Sequence, residues 1–394
     1  MRAVARARAR LLSLLVVVNF LLYVVVELLR RGHEPAVIIP RRAFWKSFTP
    51  SRAYWNRRQQ TLERLYNPIL AVLSNTTVAQ RVSSEGAAFC SCHPDLAVAS
   101  EVRGFKNLPN RFQDFLRYYR CRDYPLLMDQ PHKCSPKAPF LLLAIKSAIP
   151  HIDRRQAIRK SWGKEVTSGD FTIARVFLLG QTPPEDNFPD LSDLLQFESQ
   201  THRDILLWDY KDTFFNLTLK EVLFLKWATR TCPGARFVFK GDDDVFVNTY
   251  QVLDYLKSLT KSKAENLFIG DVIKDARPKR EKKLKYYIPE TIYRGFYPPY
   301  AGGGGYLYSG KLVPKLTNIS DQVLLYPIDD VYTGMCLRKL GLAPEKHRGF
   351  KTFDIKKKHR DNICNYTKLI LVHSRKPQEI VKIWKHLQDP HLNC

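Results

Sequence analysis

Phe237-Val-Phe-Lys-Gly-Asp242-Asp243-Asp244-Val-Phe-Val-Asn248 sets three consecutive carboxylates between two apolar, strand-like runs. In extended backbone alternate side chains share a face, so Asp242 and Asp244 point one way and Asp243 the other. Two hard oxygen donors on one face suit Mg²⁺ or Mn²⁺, the remaining positions going to water and a diphosphate. A solvated acidic turn is the plainer reading. Such turns are seldom flanked by Phe-Val-Phe and Val-Phe-Val, however, and three carboxylates crowded at a buried strand end are costly without a cation. The metal reading is preferred.

Upstream of this stretch the hydrophobic pattern alternates between strand and helix from Pro139 onward. Pro139 to Lys146, Ala174 to Leu179, Asp204 to Tyr210 and Arg236 to Lys240 have the character of buried strands. Between them, Arg154 to Trp162, Leu191 to Phe197 and Leu217 to Thr229 have helical character. A β-α-β-α series predicts an α/β fold, a mostly parallel sheet with helices on both faces. Ligands of such sheets sit beyond the carboxyl ends of strands, which is where the three acids lie.

Three further stretches have chemical potential. Tyr300-Ala-Gly302-Gly303-Gly304-Gly305-Tyr306 offers four residues without side chains, so either a close backbone approach to a sugar or phosphate or a flexible turn. Tyr326-Pro-Ile-Asp329-Asp330-Val-Tyr-Thr-Gly334 places paired carboxylates at a predicted helix start. One Asp there is explained as a helix cap, and the second is then free to act as a base on a bound hydroxyl. Leu369-Ile-Leu-Val-His373 is an apolar strand ending in a histidine, by itself more often structural than a ligand. The basic stretches Arg277–Lys285 and Lys356–Arg360 read as solvated loops supplying general attraction for anions.

The chain has 394 residues, 45% of them hydrophobic, which excludes an intrinsically disordered protein and allows two or three domains. Its Lys and Arg number 63 against 38 acids, a net +25 that suggests a polyanionic partner: nucleic acid, a phosphate-bearing ligand or an acidic glycan. The N-terminus bears on the choice. Arg2, Arg6, Arg8 and Arg10 precede an apolar stretch, Leu11–Leu29, long enough as a helix (about 28 Å) to cross a thin bilayer. A cleaved signal peptide would have a shorter apolar region and a small-residue cleavage site, whereas Val-Glu-Leu-Leu-Arg-Arg follows here, so an uncleaved anchor is expected. Sequons at Asn75, Asn216, Asn318 and Asn365, and all eight cysteines, fall after this segment. Both fit a lumenal, oxidising location with structural disulfides, and Cys90-Ser-Cys92 has the wrong spacing for a zinc knuckle. Removing the four N-terminal arginines lowers the charge from +25 to +21 on a lumenal part with no DNA to bind, so no nucleic-acid partner is expected. The expected organisation is a cytosolic tail at 1–10, an anchor at 11–29, a stem and irregular N-terminal subdomain at 30–137, and a catalytic domain at 138–394. The many large rings of the third part, among them Phe44, Trp45, Tyr54, Trp55, Tyr118 and Tyr119, are expected to be buried.

Arg154-Arg-Gln-Ala-Ile-Arg-Lys-Ser-Trp-Gly163, Arg175-Val-Phe-Leu-Leu-Gly180, the triple-acid run, the tetraglycine and Ile-Asp-Asp-Val-Tyr-Thr-Gly resemble, in that order, the β-1,3-glycosyltransferases of glycosyltransferase family 31. Galactosyltransferase members have Glu-Asp-Val-Tyr where this chain has Asp329-Asp330-Val-Tyr, so it is similar rather to the N-acetylglucosaminyltransferase branch that extends polylactosamine. The similarity takes in Val37-Ile-Ile-Pro, Tyr54-Trp-Asn and Tyr66-Asn-Pro-Ile-Leu, while Cys90 departs from the usual single cysteine at Cys92.

The resemblance implies a GT-A fold in a single-pass type II protein of the Golgi membrane, using UDP-N-acetylglucosamine and galactose-terminated glycan acceptors. It implies Asp244 and His373 as ligands of Mn²⁺. On the donor side it implies Lys146, Arg155, Asp242, Asp243, Asp329, Gly303 and Gly304, with Asp330 as the catalytic base of an inverting, single-displacement transfer. A homodimer, or a complex with a related transferase, is a further expectation. The competing functions are β-1,3-galactosyl transfer, a non-catalytic Golgi lectin or chaperone on the same fold, and a lumenal polyanion-binding protein. The last would not explain an acidic cluster set in apolar strands.

Overall fold

The structure, a computed structural model, describes residues 17–22, 40, 51–73, 92–168 and 171–394. The chain divides into two compact units, Met1–Ile38 and Ile39–Cys394. Most of the expected anchor, and with it the tail, Phe44, Trp45, Asn75 and Cys90, lies outside the described residues. Among the described residues no helix is long and apolar enough to cross a membrane.

The second unit is built on one large sheet. Its strands are β1 (Leu126–Met128), β2 (Leu141–Lys146), β3 (Val166–Ser168), β4 (Phe171–Gln181), β5 (Ile205–Lys211), β6 (Phe237–Asp242), β8 (Phe268–Ile273), β9 (Tyr300–Ser309) and β10 (Glu345–Lys346). A smaller sheet holds β7 (Phe246–Val247), β11 (Phe350–Lys351) and β12 (Leu371–Val372). The large sheet runs β1-β5-β4-β2-β6-β9-β8-β10, with β3 beside β4. β5, β4, β2 and β6 are parallel neighbours, as the alternating pattern predicts. The remainder is less parallel than expected, because β9 runs antiparallel between β6 and β8 and β1 antiparallel to β5. The sheet is therefore mixed, with a parallel centre.

The principal helices are α1 (Tyr54–Tyr66), α2 (Asn110–Tyr118), α3 (Ile152–Arg159), α4 (Ser192–His202), α5 (Leu217–Thr231), α6 (Thr249–Lys257), α7 (Leu312–Ser320), α8 (Asp329–Lys339) and α9 (Pro377–Leu387). Every residue of β2 is buried, which is why it reads as an unbroken apolar run. Alternation still sorts its side chains. Leu141, Leu143 and Ile145 join a core with Ile158, Trp162, Leu195, Val252, Ile380 and Trp384, under α3, α4, α6 and α9. α5, α7 and α8 pack together as a separate helical layer, with α7 and α8 against β9.

The described residues of the segment expected as stem and irregular N-terminal subdomain fall in the second unit. The backbone amides of Tyr54 and Trp55 donate to Thr291 and Ile292 carbonyls at 2.8 Å, and the Trp55 indole N–H reaches the Leu324 and Leu325 carbonyls. Tyr54, Trp55 and Tyr119 are buried as expected, whereas Tyr118 is exposed. Disulfides join Cys92–Cys121, Cys134–Cys232 and Cys364–Cys394, and Cys336 is a buried free thiol.

Candidate active site

The acidic stretch leaves the carboxyl end of β6 and returns through β7, which pairs antiparallel with β12 with Phe246 opposite Val372. That register brings the residue after β12, His373, alongside Asp244. The link is fastened by the Arg375 amide, which donates to the Asp244 carbonyl at 2.7 Å. The loop is also clamped from α3's side, where the Trp162 indole N–H donates to the Val245 carbonyl at 3.0 Å. His373 Nε2 lies 3.3 Å from Asp244 Oδ1. Asp242, Asp244 and His373 each present one ligand atom within 4.8 Å of the others. β6 ends at Asp242 and the next two acids form a turn, so the two aspartates are brought together by that turn rather than by the extended alternation expected.

These three residues fit a divalent ion. The His373 Nδ1–H donates to the Thr352 carbonyl at 2.9 Å, an outer contact of the kind that fixes the tautomer of a metal-binding histidine and turns Nε2 toward the site. The hydrogen bond to Asp244 raises the imidazole to about 9 against the effect of burial, so with no cation present a proton bridges the pair. Two carboxylates and an imidazole leave room for water and phosphate oxygens, as Mn²⁺ and Mg²⁺ prefer.

Lys146 ends β2, beside Asp242 in the parallel register. Its Nζ lies 2.8 Å from Asp242 Oδ1 and 2.6 Å from Asp329 Oδ2, joining the metal trio to the first turn of α8. Burial would lower this ammonium, but Asp242, Asp329 and Asp330 outweigh it and hold it well above the ordinary lysine range. The next acid, Asp330, is half-buried. Desolvation raises its carboxyl well above the ordinary range and the neighbouring Asp329 adds to this, partly offset by Lys146. A raised carboxylate is a stronger base, which is what proton abstraction from a sugar hydroxyl requires.

The tetraglycine is neither a turn nor a loop but the first half of β9, and Gly305 pairs with Gly241 at the end of β6. A β-carbon on Gly303 would stand 3.1 Å from Asp330 Oδ2, and one on Gly304, at φ +93°, would stand 3.3 Å from the His373 ring. Side-chain-free backbone thus spans the floor between the candidate base and the candidate metal ligand.

Two residues expected on the donor side bond within the protein. Arg155 is fully buried and bonds Glu198 twice, Ser147, and the carbonyls of Ala148 and Ile149, so it shapes the loop after β2 from beneath. Ile158 marks the buried stripe of α3, and Arg155, one turn back, shares that face. Asp243 is also taken up: its oxygens accept from Ser147 and Arg154 and contact His151 Nδ1, all at 2.7–2.8 Å. Burial raises the Asp243 carboxyl, but these partners bring it below the usual range.

Sequence reasoning did not single out Arg154, which lies beside the acids. Arg154 is half-buried, bonds Asp243 and lies 4.0 Å from Asp244, and the helical period of α3 was the signal that separates it from Arg155. Tyr286 and Tyr300 were also missed; burial raises both phenols, with Asp330 among the further contributors. The basic stretch before Tyr286 is only partly solvated. Arg280 donates to the Ile288 and Tyr293 carbonyls, and the Lys285 ammonium lies 4.4 Å from the Phe214 ring centre. Of the sequon residues, Asn216 and Asn365 donate side-chain amides to the carbonyls of Lys211 and His359, and Asn318 lies on α7.

Comparison with known proteins bears on these features. A family described as Galactosyltransferase matches residues 153–348, which run from α3 through the triple acid and the tetraglycine to the end of α8 and beyond. The chain is 61% identical to human N-acetyllactosaminide beta-1,3-N-acetylglucosaminyltransferase 2 over 100% of both chains, and 60% identical to the mouse protein of that name, likewise over 100% of both. It is 44% identical to the rat UDP-GlcNAc:betaGal beta-1,3-N-acetylglucosaminyltransferase 7 over 74% of each. By sequence along its whole length, and by a matching domain that carries the acids of the site, the chain belongs to glycosyltransferase family 31.

Proposed function

We propose that this protein transfers N-acetylglucosamine from UDP-N-acetylglucosamine to the 3-hydroxyl of a terminal galactose on lactosamine-type glycans, extending polylactosamine with inversion at the transferred sugar. The observation that carries the reading is the arrangement of two acidic centres about one lysine. Asp242, Asp244 and His373 stand on one side of Lys146, and Asp329 and Asp330 on the other. The full-length relatives, whose names state this transfer, support the choice of sugars.

In this reading Asp330 accepts the proton of the galactose hydroxyl as its oxygen bonds the anomeric carbon, and the bond from that carbon to the diphosphate oxygen breaks. Asp329 and Lys146 fix the position of α8's first turn against the sheet. Gly303 and Gly304 leave space for the donor sugar between the two centres. Asp242, Asp244 and His373 would hold Mn²⁺, which when bound offsets charge on the departing diphosphate. No residue is asked to form a covalent intermediate. The protein works in the Golgi lumen, anchored by residues 11–29; three disulfides support an oxidising compartment.

The deciding assay incubates the full chain and Mn²⁺ with an N-acetyllactosamine acceptor and either UDP-N-acetylglucosamine or UDP-galactose. A β-1,3-linked N-acetylglucosamine product, lost on chelation, is expected. Galactose transfer alone, or no transfer, overturns the reading.

A further inference from the structure

Thr352 follows β11 and touches both halves of the candidate site. Its carbonyl accepts from His373 Nδ1 at 2.9 Å, and its hydroxyl donates to the Gly303 carbonyl at 2.7 Å, with the Gly302 carbonyl at 3.4 Å. The residue is 7% exposed. Its own amide donates to Asp271 Oδ2 at 3.3 Å, and Lys346 Nζ lies 3.2 Å from the other oxygen of that carboxylate.

The register of β9 explains why these glycine carbonyls take a donor from outside the sheet. On the β8 side Gly270 pairs with Tyr306 and Val272 with Ala301, so Gly302 to Gly305 stand against Asp271 alone. On the β6 side the pairing stops at Gly241 and Gly305. Gly302, Gly303 and Gly304 therefore have no partner residue in either neighbouring strand, and the ladder is broken where β9 passes Asp330. Gly302 is buried and Gly303 half-buried, so carbonyls left out of the ladder there call for another donor. Thr352 supplies it through its hydroxyl, and Asp271, the residue facing the bulge, takes up the Thr352 amide. The approach is close, for a β-carbon on Gly302 would stand 2.9 Å from Thr352 Cγ2.

Two tasks separate on this one residue. The backbone carbonyl orients the imidazole of His373, and the hydroxyl holds the glycine floor. Only the second depends on the side chain, so substitution there loosens the floor and leaves the contact behind His373 in place. We propose that Thr352 is a positioning residue for the donor: its hydroxyl fixes the glycine bulge of β9 against Asp330 and His373 and so places the transferred sugar rather than the diphosphate. The inference rests on the proposed reading in which Gly303 and Gly304 leave space for that sugar. A small displacement of the sugar from the base is costly to transfer, whereas the contacts of the diphosphate are unchanged by it.

The test compares the full chain with Thr352→Val, Thr352→Ala and Thr352→Ser. It records melting temperature, kcat and KM with UDP-N-acetylglucosamine and an N-acetyllactosamine acceptor, and affinity for UDP in Mn²⁺ by calorimetry. Thr352→Val and Thr352→Ala, which lack the hydroxyl, should lower kcat/KM for the sugar nucleotide about ten-fold while UDP affinity stays within about two-fold of the parent. Thr352→Ser keeps the hydroxyl and should restore most of the loss. Equal losses for UDP and the sugar nucleotide in both hydroxyl-free variants, parental kinetics in either, or a Thr352→Ser no better than Thr352→Ala overturns the positioning role. Should the parent transfer galactose alone, the proposed function fails and the same comparison is made with UDP-galactose, so the two readings stand or fall separately.

Discussion

Lys146 Nζ stands 2.6 Å from Asp329 Oδ2, which pins the end of β2 to the first residue of α8. The same ammonium neutralises Asp242, so one side chain sets the separation of the candidate metal trio from the candidate base. Replacing it by Met leaves two carboxylates unpaired at a largely buried position. Loss of one partner of a buried pair costs about 3–5 kcal/mol. Lys146→Met is expected to melt earlier and to bind UDP more weakly in Mn²⁺. Unchanged melting and unchanged UDP affinity would remove Lys146 from this position in the argument.

Asp330→Asn keeps the shape of α8's first turn and removes the proposed proton acceptor. Loss of a positioned general base lowers turnover by about 10²–10⁴-fold. UDP affinity in Mn²⁺ should stay near native, because the trio at Asp242 is untouched. The proposed role requires Asp330 as a carboxylate, and desolvation together with Asp329 raises its pKa. Activity should therefore fall on acidification at a pH above the ordinary carboxylate range, about 4. A near-native kcat in Asp330→Asn would refute the assignment.

Much of this site was legible because its residues announce themselves by context. Three acids between apolar strands, a histidine closing another strand and two acids at a helix start are local signals, although Asp242 and Asp244 meet through a turn and not through the extended alternation expected of them. What was not legible depends on partners far apart in sequence. Arg155 and Arg154 are adjacent and identical in type; the helical period of α3 sets Arg155 on the buried face with Ile158, but its partner Glu198 is 43 residues away on α4 and leaves no local signal. The tetraglycine was ambiguous because its neighbours β6 and β8 are not local, and a strand built on glycine carries no alternation to detect. Likewise the parallel series was visible up to β6, whereas nothing local reports that β9 runs the other way.

Asp244→Ala and His373→Ala separate the metal trio from the rest. Each removes one ligand atom of three, and the imidazole is held in place from behind by the Thr352 carbonyl. Isothermal titration of UDP with and without Mn²⁺ should show a metal-dependent gain in affinity for the parent and a loss of most of that gain in both variants. Retention of the full gain in Asp244→Ala would place the ion elsewhere.

The Cys134–Cys232 disulfide closes a 98-residue separation and fastens the segment before β2 to the end of α5. A loop of that size constrains the unfolded chain by about 4.7 kcal/mol on the entropic estimate, with about 2–5 kcal/mol typical of a native bridge. The double variant Cys134→Ser with Cys232→Ser should lose stability on that scale in chemical unfolding. Cys336 lies apart from the three bridges as a buried thiol, so alkylation of the native parent should leave it unmodified.

Beneath the active-site loop lies a buried ionic cluster whose response to pH can be worked out. Arg155 grips Glu198 at 2.7 and 2.8 Å, Arg159 bridges Glu198 and Asp204, and Arg175 bonds Asp204 at 2.6 Å. Glu198 is 4% exposed and Asp204 0%, so neither carboxylate has water to fall back on. Burial raises both acids, but the arginines outweigh it and hold them below their ordinary values. A depressed folded pKa contributes stability that is complete above the unfolded value, about 4, and is lost as pH falls through the folded one. The melting temperature should accordingly decline below about pH 4. Arg159→Met removes one pairing from each acid while Arg155 still holds Glu198 and Arg175 still holds Asp204, and should cost about 1.5–3 kcal/mol near neutral pH. Its deficit should shrink as the pH falls below the ordinary carboxylate range, about 4, toward the depressed folded values of Glu198 and Asp204. Because Arg155 also bonds Ser147 and the carbonyls of Ala148 and Ile149, the loop that holds Asp243 should loosen with the cluster, so UDP affinity should fall in parallel with stability. Melting curves from pH 3 to 7 on parent and variant decide the matter: a deficit of constant size across that range would show that the ion pairs are not its source.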